Sequence, residues 1–372
     1  MPPSFDTLSD AAAWYEAWLS EAALPLWASA GVDPLGGLFQ ETLSVQGQPV
    51  EATRRARAQA RQVFVFASAF NAGYGAHWRP VATTGWARFV EAYRRPDGLF
   101  LNRATGEGAP VDAAADNYEQ AFVLLAMAAL QDAEPAAVGF AGQAERVLAA
   151  LDGRRVAGGG FKENGPHPYQ ANCHMHLFES ALAWEAAGGP VWGALSDEIA
   201  TLAMTRFIDP DSGALREFFD ADWRALRGEG GLVEPGHQFE WAWLLDRWGR
   251  ARGEASGQAA ARRLFEAGLR GVDPVREVAV NALWDDFSVR DGAARLWPQT
   301  EHLKAALALG DEAQALRAAR GLAQYLEVPA RGAWRDKLRP EGTFVDEPAP
   351  ATSFYHLMVA ILELRAHVKK AA

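Results

Sequence analysis

The stretch Pro235-Gly-His-Gln-Phe-Glu-Trp-Ala-Trp-Leu-Leu245 decides how the rest of the chain is read. Pro235 suits the first position of a helix, because the N–H it lacks is one that a helix start leaves unbonded anyway. His237 then falls in the first turn, and Phe239, Trp241, Trp243, Leu244 and Leu245 leave the helix apolar on nearly every face. A helix apolar all round needs cover on all sides, so this one belongs inside a helical assembly. One polar group stands at its start.

Further segments share that character. With Arg61, Tyr118, His176, His237, Glu301 and His356 as markers, one per segment, the separations are 57, 58, 61, 64 and 55 residues. Ala-rich helices with a polar face alternate with them. The spacing of apolar residues and the Gly/Pro punctuation predict helices over 8–28, 54–74, 80–94, 116–132, 136–151, 172–187, 190–207, 235–250, 256–270, 298–309, 311–326 and 352–370, which make six pairs. A hairpin repeated in this way either stacks openly or closes on itself. Closure is the better reading, because an open stack would leave the apolar helices uncovered and would need polar caps. The expected fold is all-α: an (α/α)6 barrel of six helical hairpins, with residues 1–372 as a single catalytic domain. Gly98-Leu-Phe-Leu-Asn-Arg103, Ala214-Leu-Arg-Glu-Phe-Phe219 and Gly332-Ala-Trp-Arg335 suggest short β-hairpins in the connecting loops.

The polar markers lie early in their helices. Thr352 or Ser353 suits the cap of the last one and puts His356 in its first turn; Asn172 and Pro298 place His176 and Glu301 early; Asp116 with Glu119 resembles a capping pair around Tyr118. In a barrel whose inner helices run parallel, these starts meet at one funnel mouth. Arg61 sits deeper in its helix and must reach inward.

Composition narrows the function. The 372 residues carry a net charge of −11, and apart from short clusters such as Arg54-Arg55-Ala56-Arg57 and Lys369-Lys370 no run of Lys and Arg could track a phosphate backbone, so nucleic acid is not an expected partner. No apolar run approaches the ~20 residues that cross a bilayer. The single Cys173 excludes an internal disulfide, and the Met1 start lacks a signal-peptide layout, so a cytoplasmic enzyme is expected. The 14 Trp residues favour sugar stacking only slightly, since Trp is also a common core filler.

Histidines at helix starts suit proton abstraction next to a carbonyl, because the positive end of the helix dipole disfavours imidazolium and leaves a neutral base. Opening a sugar ring and passing through an enediol needs a base, an acid and a donor for the developing oxyanion, which His237, His356, His176 and Arg61 can supply. Glu240, three residues after His237, is placed to orient that ring. Plainer readings stand beside these. Arg61 can pair with a buried carboxylate, Tyr118 can be a core aromatic, and Arg57 a surface charge; Trp184, Trp241 and Trp243 read as core, and Cys173 as a buried inert thiol. Trp297, just before Pro298, has the better claim on a sugar ring. His176-Leu-Phe-Glu179 and His237-Gln-Phe-Glu240 have the reverse order of the Glu-x-x-His metal bundles, and His174 and His176 point too far apart to chelate together, so no metal is expected.

Ala58-Gln-Ala-Arg-Gln-Val-Phe64, Asp116-Asn-Tyr-Glu-Gln-Ala-Phe122, Asn172-Cys-His-Met-His-Leu-Phe-Glu179, Gly236-His-Gln-Phe-Glu-Trp-Ala-Trp-Leu-Leu245, Trp297-Pro-Gln-Thr-Glu301 and Ser353-Phe-Tyr-His356, in this order and spacing, resemble the N-acylglucosamine 2-epimerase family. The resemblance implies the (α/α)6 barrel and cofactor-independent chemistry at C1 and C2 of an aldose through an enediol. It implies His237 and His356 as the acid/base pair, Arg61, Asn172, His176 and Glu240 as sugar-binding or polarising groups, and Trp297 as the stacking ring. Tyr118 joins the binding set on its position. The ending Ala351-Thr-Ser-Phe-Tyr-His356 resembles the mannose isomerase branch, so mannose–fructose isomerisation is the expected reaction, with a small-molecule monosaccharide as partner and a monomer or homodimer as assembly. A 2-epimerase acting on mannose, glucose or an N-acylhexosamine uses the same groups. Arg54, Arg57 or Lys162 could meet a 6-phosphate. A glycoside hydrolase would need two carboxylates ~5–9.5 Å apart, for which Glu240 and Glu301 are the obvious inner pair, each beside a histidine. A non-catalytic sugar binder would have little use for several imidazoles.

Overall fold

The computed structural model describes residues 3, 5–134, 139–226 and 231–371. In chain order its α-helices are α1 (Leu8–Trp18), α2 (Leu24–Ser29), α3 (Ala56–Asn71), α4 (Trp78–Tyr93), α5 (Asn117–Ala133), α6 (Phe140–Leu151), α7 (Ala171–Ala186), α8 (Pro190–Leu202), α9 (Pro235–Arg252), α10 (Ala255–Leu269), α11 (Trp297–Leu309), α12 (Glu312–Ala323) and α13 (Thr352–Ala371). The start expected at 136–138 lies outside the described residues. Two expected helices are interrupted. The one over 8–28 passes through a π-turn at Leu19–Ala23 before α2, where Pro25 has no N–H to return to the Glu21 carbonyl. The one over 190–207 ends in a second π-turn at Ala203–Phe207.

The chain forms two compact units. The first comprises Leu24–Ile199 and Pro350–Tyr355. Here α3, α5 and α7 pack side by side, with α4 against α3 and α6 against α5. The second comprises Met1–Ala23, Ala200–Ala349 and His356–Ala372. In it α9 and α11 pack together, covered by α10 and α12, with α1 against α12. The division into covered and covering helices follows the sequence pattern: 14 of 17 residues of α5 are buried, against 4 of 12 in α6. Within each unit the connecting loops carry short antiparallel strands, such as Arg54–Arg55 with Arg103–Ala104 in the first and Ala282–Leu283 with Val289–Asp291 in the second.

One device recurs at the loops. A buried glutamine on a covered helix pairs through both amide atoms with one backbone residue about a loop's length upstream: Gln59 with Phe39 (2.8 and 2.8 Å), Gln120 with Phe100 (2.9 and 2.8 Å), Gln238 with Leu215 (2.7 and 3.2 Å) and Gln299 with Ala279 (2.7 and 2.9 Å). At α7 the place is taken by His174, whose Nε2 accepts from Phe161 N (2.9 Å) while Nδ1 donates to Gln170 O (2.8 Å). Each clamp satisfies backbone groups that water cannot reach, and it fixes the loop against the helix start where the polar markers stand.

Candidate active site

In the second unit, α9 begins at Pro235 and presents His237 at its third position, 8% exposed. Its Nδ1 lies 3.0 Å from Glu217 Oε2 and 3.5 Å from Glu234 Oε2. Burial alone would pull this imidazole's pKa down. The Glu217 and Glu234 carboxylates outweigh it and, with Glu240 adding to the pull, hold His237 at about 10. These neighbours oppose the expectation that the helix dipole keeps His237 neutral: fractional charge at a helix end is outweighed by the Glu217 carboxylate at 3.0 Å, with that of Glu234 at 3.5 Å adding to it. The ring is also bound differently than expected, since Glu217 and Glu234, not Glu240, face its Nδ1. Glu240 itself is buried, 1% exposed.

His356, the fifth residue of α13, has Nδ1 2.8 Å from Glu301 Oε1. The other oxygen of Glu301 lies 2.6 Å from the ammonium of Lys304, one turn on along α11, and that ammonium sits 3.9 Å from the centre of the Trp243 ring. Glu301 and Lys304 are both wholly buried. Half-buried Trp297, the first residue of α11, touches both histidines, with ring centroids 5.1 Å from His237 and 5.7 Å from His356. Gly236 makes room for it: a Cβ there would lie 2.5 Å from the Trp297 ring. The unit thus gathers His237, His356, Glu240, Glu301 and Trp297 from three helices.

In the first unit, Arg61 is the sixth residue of α3 and 4% exposed. Its Nη1 donates to Thr352 O (3.0 Å) and its Nη2 to Tyr118 Oη (3.1 Å); the guanidinium lies 3.9 Å from the centre of the Phe122 ring and 5.0 Å from that of Tyr355. No carboxylate pairs with it among the described residues, which sets aside the plain reading of a buried ion pair. A buried cation held only by carbonyl, hydroxyl and ring faces is costly, and it has unspent attraction for an anion. His176 packs edge-on to Tyr118 (5.0 Å) and against Phe122 (4.5 Å), with Nδ1 3.8 Å from Glu179 Oε2; Glu179 also accepts from the Tyr355 hydroxyl. Asn172 is the second residue of α7 rather than its cap, and its side-chain Oδ1 has no partner among the described residues.

Other expectations change here. Asp116 makes no capping bond. Glu163 instead accepts from the N–H groups of Asn117 (2.8 Å) and Tyr118 (2.9 Å) at the start of α5, while buried Glu119 turns to an ion pair with half-buried Arg57. Arg57 is thus tied down and not a free surface charge. Arg54 is held by Asp33 (2.7 Å), Gln40 (3.1 Å) and Gly106 O (3.2 Å), whereas Lys162 is exposed. Cys173 is buried, which pushes its thiol pKa well up. Trp184, Trp241 and Trp243 are buried. Glu217 and Glu234 escaped the sequence reading because they precede α9 in a stretch read only as a connection. Lys304 escaped it because spacing does not reveal that a helical lysine is buried.

Among the described residues, no helix is long and apolar enough to cross a membrane. The chain is 48% identical to a mannose-6-phosphate isomerase of Rhizobium meliloti (strain 1021) over 95% of this chain and 96% of that protein. It is 28% identical to a D-mannose isomerase of Thermobifida fusca over 66% and 67% of the two chains. Among solved structures, a cellobiose 2-epimerase from Spirochaeta thermophila DSM 6192 superposes with a TM-score of 0.87 at 21% identity, covering 98% of each chain. A D-mannose isomerase does so with a TM-score of 0.87 at 22% identity, covering 98% of this chain and 100% of that one. At such identity these likenesses speak for the fold alone, and the fold is the expected (α/α)6 barrel. The profile of N-acylglucosamine 2-epimerase matches residues 37–360. With that match over most of its length and a relative at 48% identity, the chain belongs to the N-acylglucosamine 2-epimerase family and is a sugar isomerase or epimerase.

Proposed function

We propose that the protein interconverts D-mannose and D-fructose through an enediol, with His237 and His356 as its acid and base and residues 1–372 as its catalytic domain. The observation that carries this reading is the pair of imidazoles on Trp297, each tied through Nδ1 to a carboxylate, at 3.0 Å for His237 and 2.8 Å for His356. Such bonds fix the Nδ1–H tautomer and make Nε2 the nitrogen that exchanges protons with substrate.

His237, against Glu217 and Glu234, holds its proton and suits the acid that opens the pyranose ring. His356 then takes the C2 proton of open-chain mannose and delivers a proton to C1, while O1 gains one and the C2 hydroxyl becomes the ketone of fructose. Arg61 offers its charge to the enediolate oxygen, and the absence of a carboxylate partner among the described residues supports that role. Tyr118, Asn172, His176 and Glu240 are proposed to bind the sugar hydroxyls, with Trp297 stacking on the ring. A 2-epimerase would differ only in returning the proton to the opposite face of C2.

The names of two relatives, mannose-6-phosphate isomerase and D-mannose isomerase, support mannose as the aldose. They differ on the phosphate. Arg54 and Arg57 are already paired and Lys162 is exposed, which favours the free sugar, while the name of the 48% identical relative favours the 6-phosphate. Proton NMR in D2O with D-mannose and, separately, its 6-phosphate tests both. Deuterium at C1 of fructose is expected; deuterated glucose would make the protein an epimerase, and conversion of the phosphate alone would reassign the substrate. No conversion of these sugars or of N-acylhexosamines would sink the catalytic reading.

A further inference from the structure

His237 and His356 are matched in position yet unequal in surroundings, and the difference comes from a residue with no assigned part in the reaction. Facing His237 are the carboxylates of Glu217 and Glu234, and its own helix adds Glu240. Facing His356 within its unit are Glu301 from α11 and Glu240 from α9, the latter's carboxylate within 4.8 Å of the ring nitrogen and of Glu301. Behind Glu301 stands Lys304, its ammonium 2.6 Å from Oε2, over the face of Trp243. Among the described residues no lysine or arginine pairs with Glu217, and Arg295 acts only from farther off, on Glu234.

We propose that Lys304 is a positioning residue that acts through Glu301: its ammonium holds the carboxylate in place and offsets its charge, so that His356 keeps a neutral imidazole able to act as base. This rests on His356 being that base. A wholly buried lysine is expensive to keep charged unless it is paired, so its presence calls for a return. Without it, Glu301 and Glu240 would present two negative charges to His356, much as Glu217 and Glu234 do to His237, and His356 would also hold its proton. The trio fixes geometry as well. With Oε2 facing the Lys304 ammonium, Oε1 accepts from His356 Nδ1 and from the Thr300 hydroxyl (3.2 Å), which turns Nε2 to the chemistry.

The test is the pH dependence of kcat/KM, whose acidic limb reports the base in the free enzyme. Lys304→Met removes the charge and retains a flexible apolar side chain over Trp243. A charge in direct contact moves a pKa by roughly 1–3 units; acting from behind Glu301, Lys304 is worth the lower end of that, so the acidic limb is expected to rise by about one pH unit, with kcat/KM at pH 6 falling up to about tenfold. Lys304→Arg keeps the charge and should leave the limb in place; Glu301→Gln in the Lys304→Met background should bring it back down. A structural lysine would lower the melting temperature and the rate at every pH and leave the limb where it was, and that result overturns the proposal. Should Lys304→Met fail to fold, Glu301→Gln alone must lower the limb, and an unmoved limb there is equally fatal. The imidazole nitrogen shifts of His356 followed by NMR through the same pH range give the same answer without turnover. If the limb moves but His356→Ala keeps its activity, the assignment of the base fails and not the coupling.

Discussion

Replacing Glu217 by glutamine removes one charge from His237 and little else, since the amide oxygen can still accept from Nδ1. In the native chain Glu217 and Glu234 raise His237 against the pull of burial, from the usual 6.5 to about 10. At about 1.4 kcal/mol per unit, that difference is on the order of 5 kcal/mol between the two protonation states. Several carboxylates share it, and the one at 3.0 Å should account for roughly 1–3 units. The alkaline limb of kcat/KM, which reports the acid, should therefore fall by that amount in Glu217→Gln. Stability follows the same protons. A histidine whose pKa is raised in the folded state adds stability that is complete below 6.5 and is lost as pH rises through about 10. Urea denaturation should thus show the variant weaker than the native protein near pH 6, with the gap narrowing toward pH 10. An unmoved alkaline limb, together with a gap that is the same at every pH, would refute the claim that Glu217 keeps the proton on His237.

Gly236→Ala would set a methyl group 2.5 Å from the Trp297 ring; with the backbone there already helical, the ring must move, and KM for the sugar should rise severalfold in steady-state assays while far-UV circular dichroism stays native. Arg61→Met, which keeps the bulk between Phe122 and Tyr355, should lower kcat by about 10²–10³, and a loss confined to KM would show that the guanidinium binds substrate but not the enediolate. Gln299→Leu strands the buried N–H and C=O of Ala279; chemical denaturation should register a loss of about 2–4 kcal/mol, and a loss under 1 kcal/mol would mean that the loop finds other partners.

The covered helices were legible because they break the usual rule of one polar face, and because their polar exceptions recur at a near-constant interval. His237, His356, Arg61 and Trp297 were legible for the same reason: each is an exception at a helix start or inside an apolar run. What the sequence hides is the company these residues keep. Glu217 and Glu234 arrive from the stretch before α9, where no periodicity marks a side chain as inward-facing. Glu163 caps α5 from 46 residues away, so the local Asp116 and Glu119 pattern, though well formed, is left for other uses. Lys304 lies in register with Glu301 in a way any solvent-exposed helical pair would, and only burial turns that pair into part of the site. At His237 the helix dipole is only one contribution, and the neighbouring Glu217 and Glu234 carboxylates outweigh it.

The loop clamps are not chemically alike. A glutamine amide has nothing to gain or lose across the pH range, so the clamps at Gln59, Gln120, Gln238 and Gln299 should be indifferent to acid. His174 accepts from Phe161 N at Nε2 only while that nitrogen is bare, and burial holds its pKa down to about 4. For a base depressed in this way the unfolded chain binds the proton first, so stability is full above 6.5 and drains as pH falls toward 4, by about 3 kcal/mol in all. The loop that closes on Phe161 is then the acid-labile joint of an otherwise acid-tolerant set, and the glycine-rich segment around it is where mild acid should first let hydrogen exchange in.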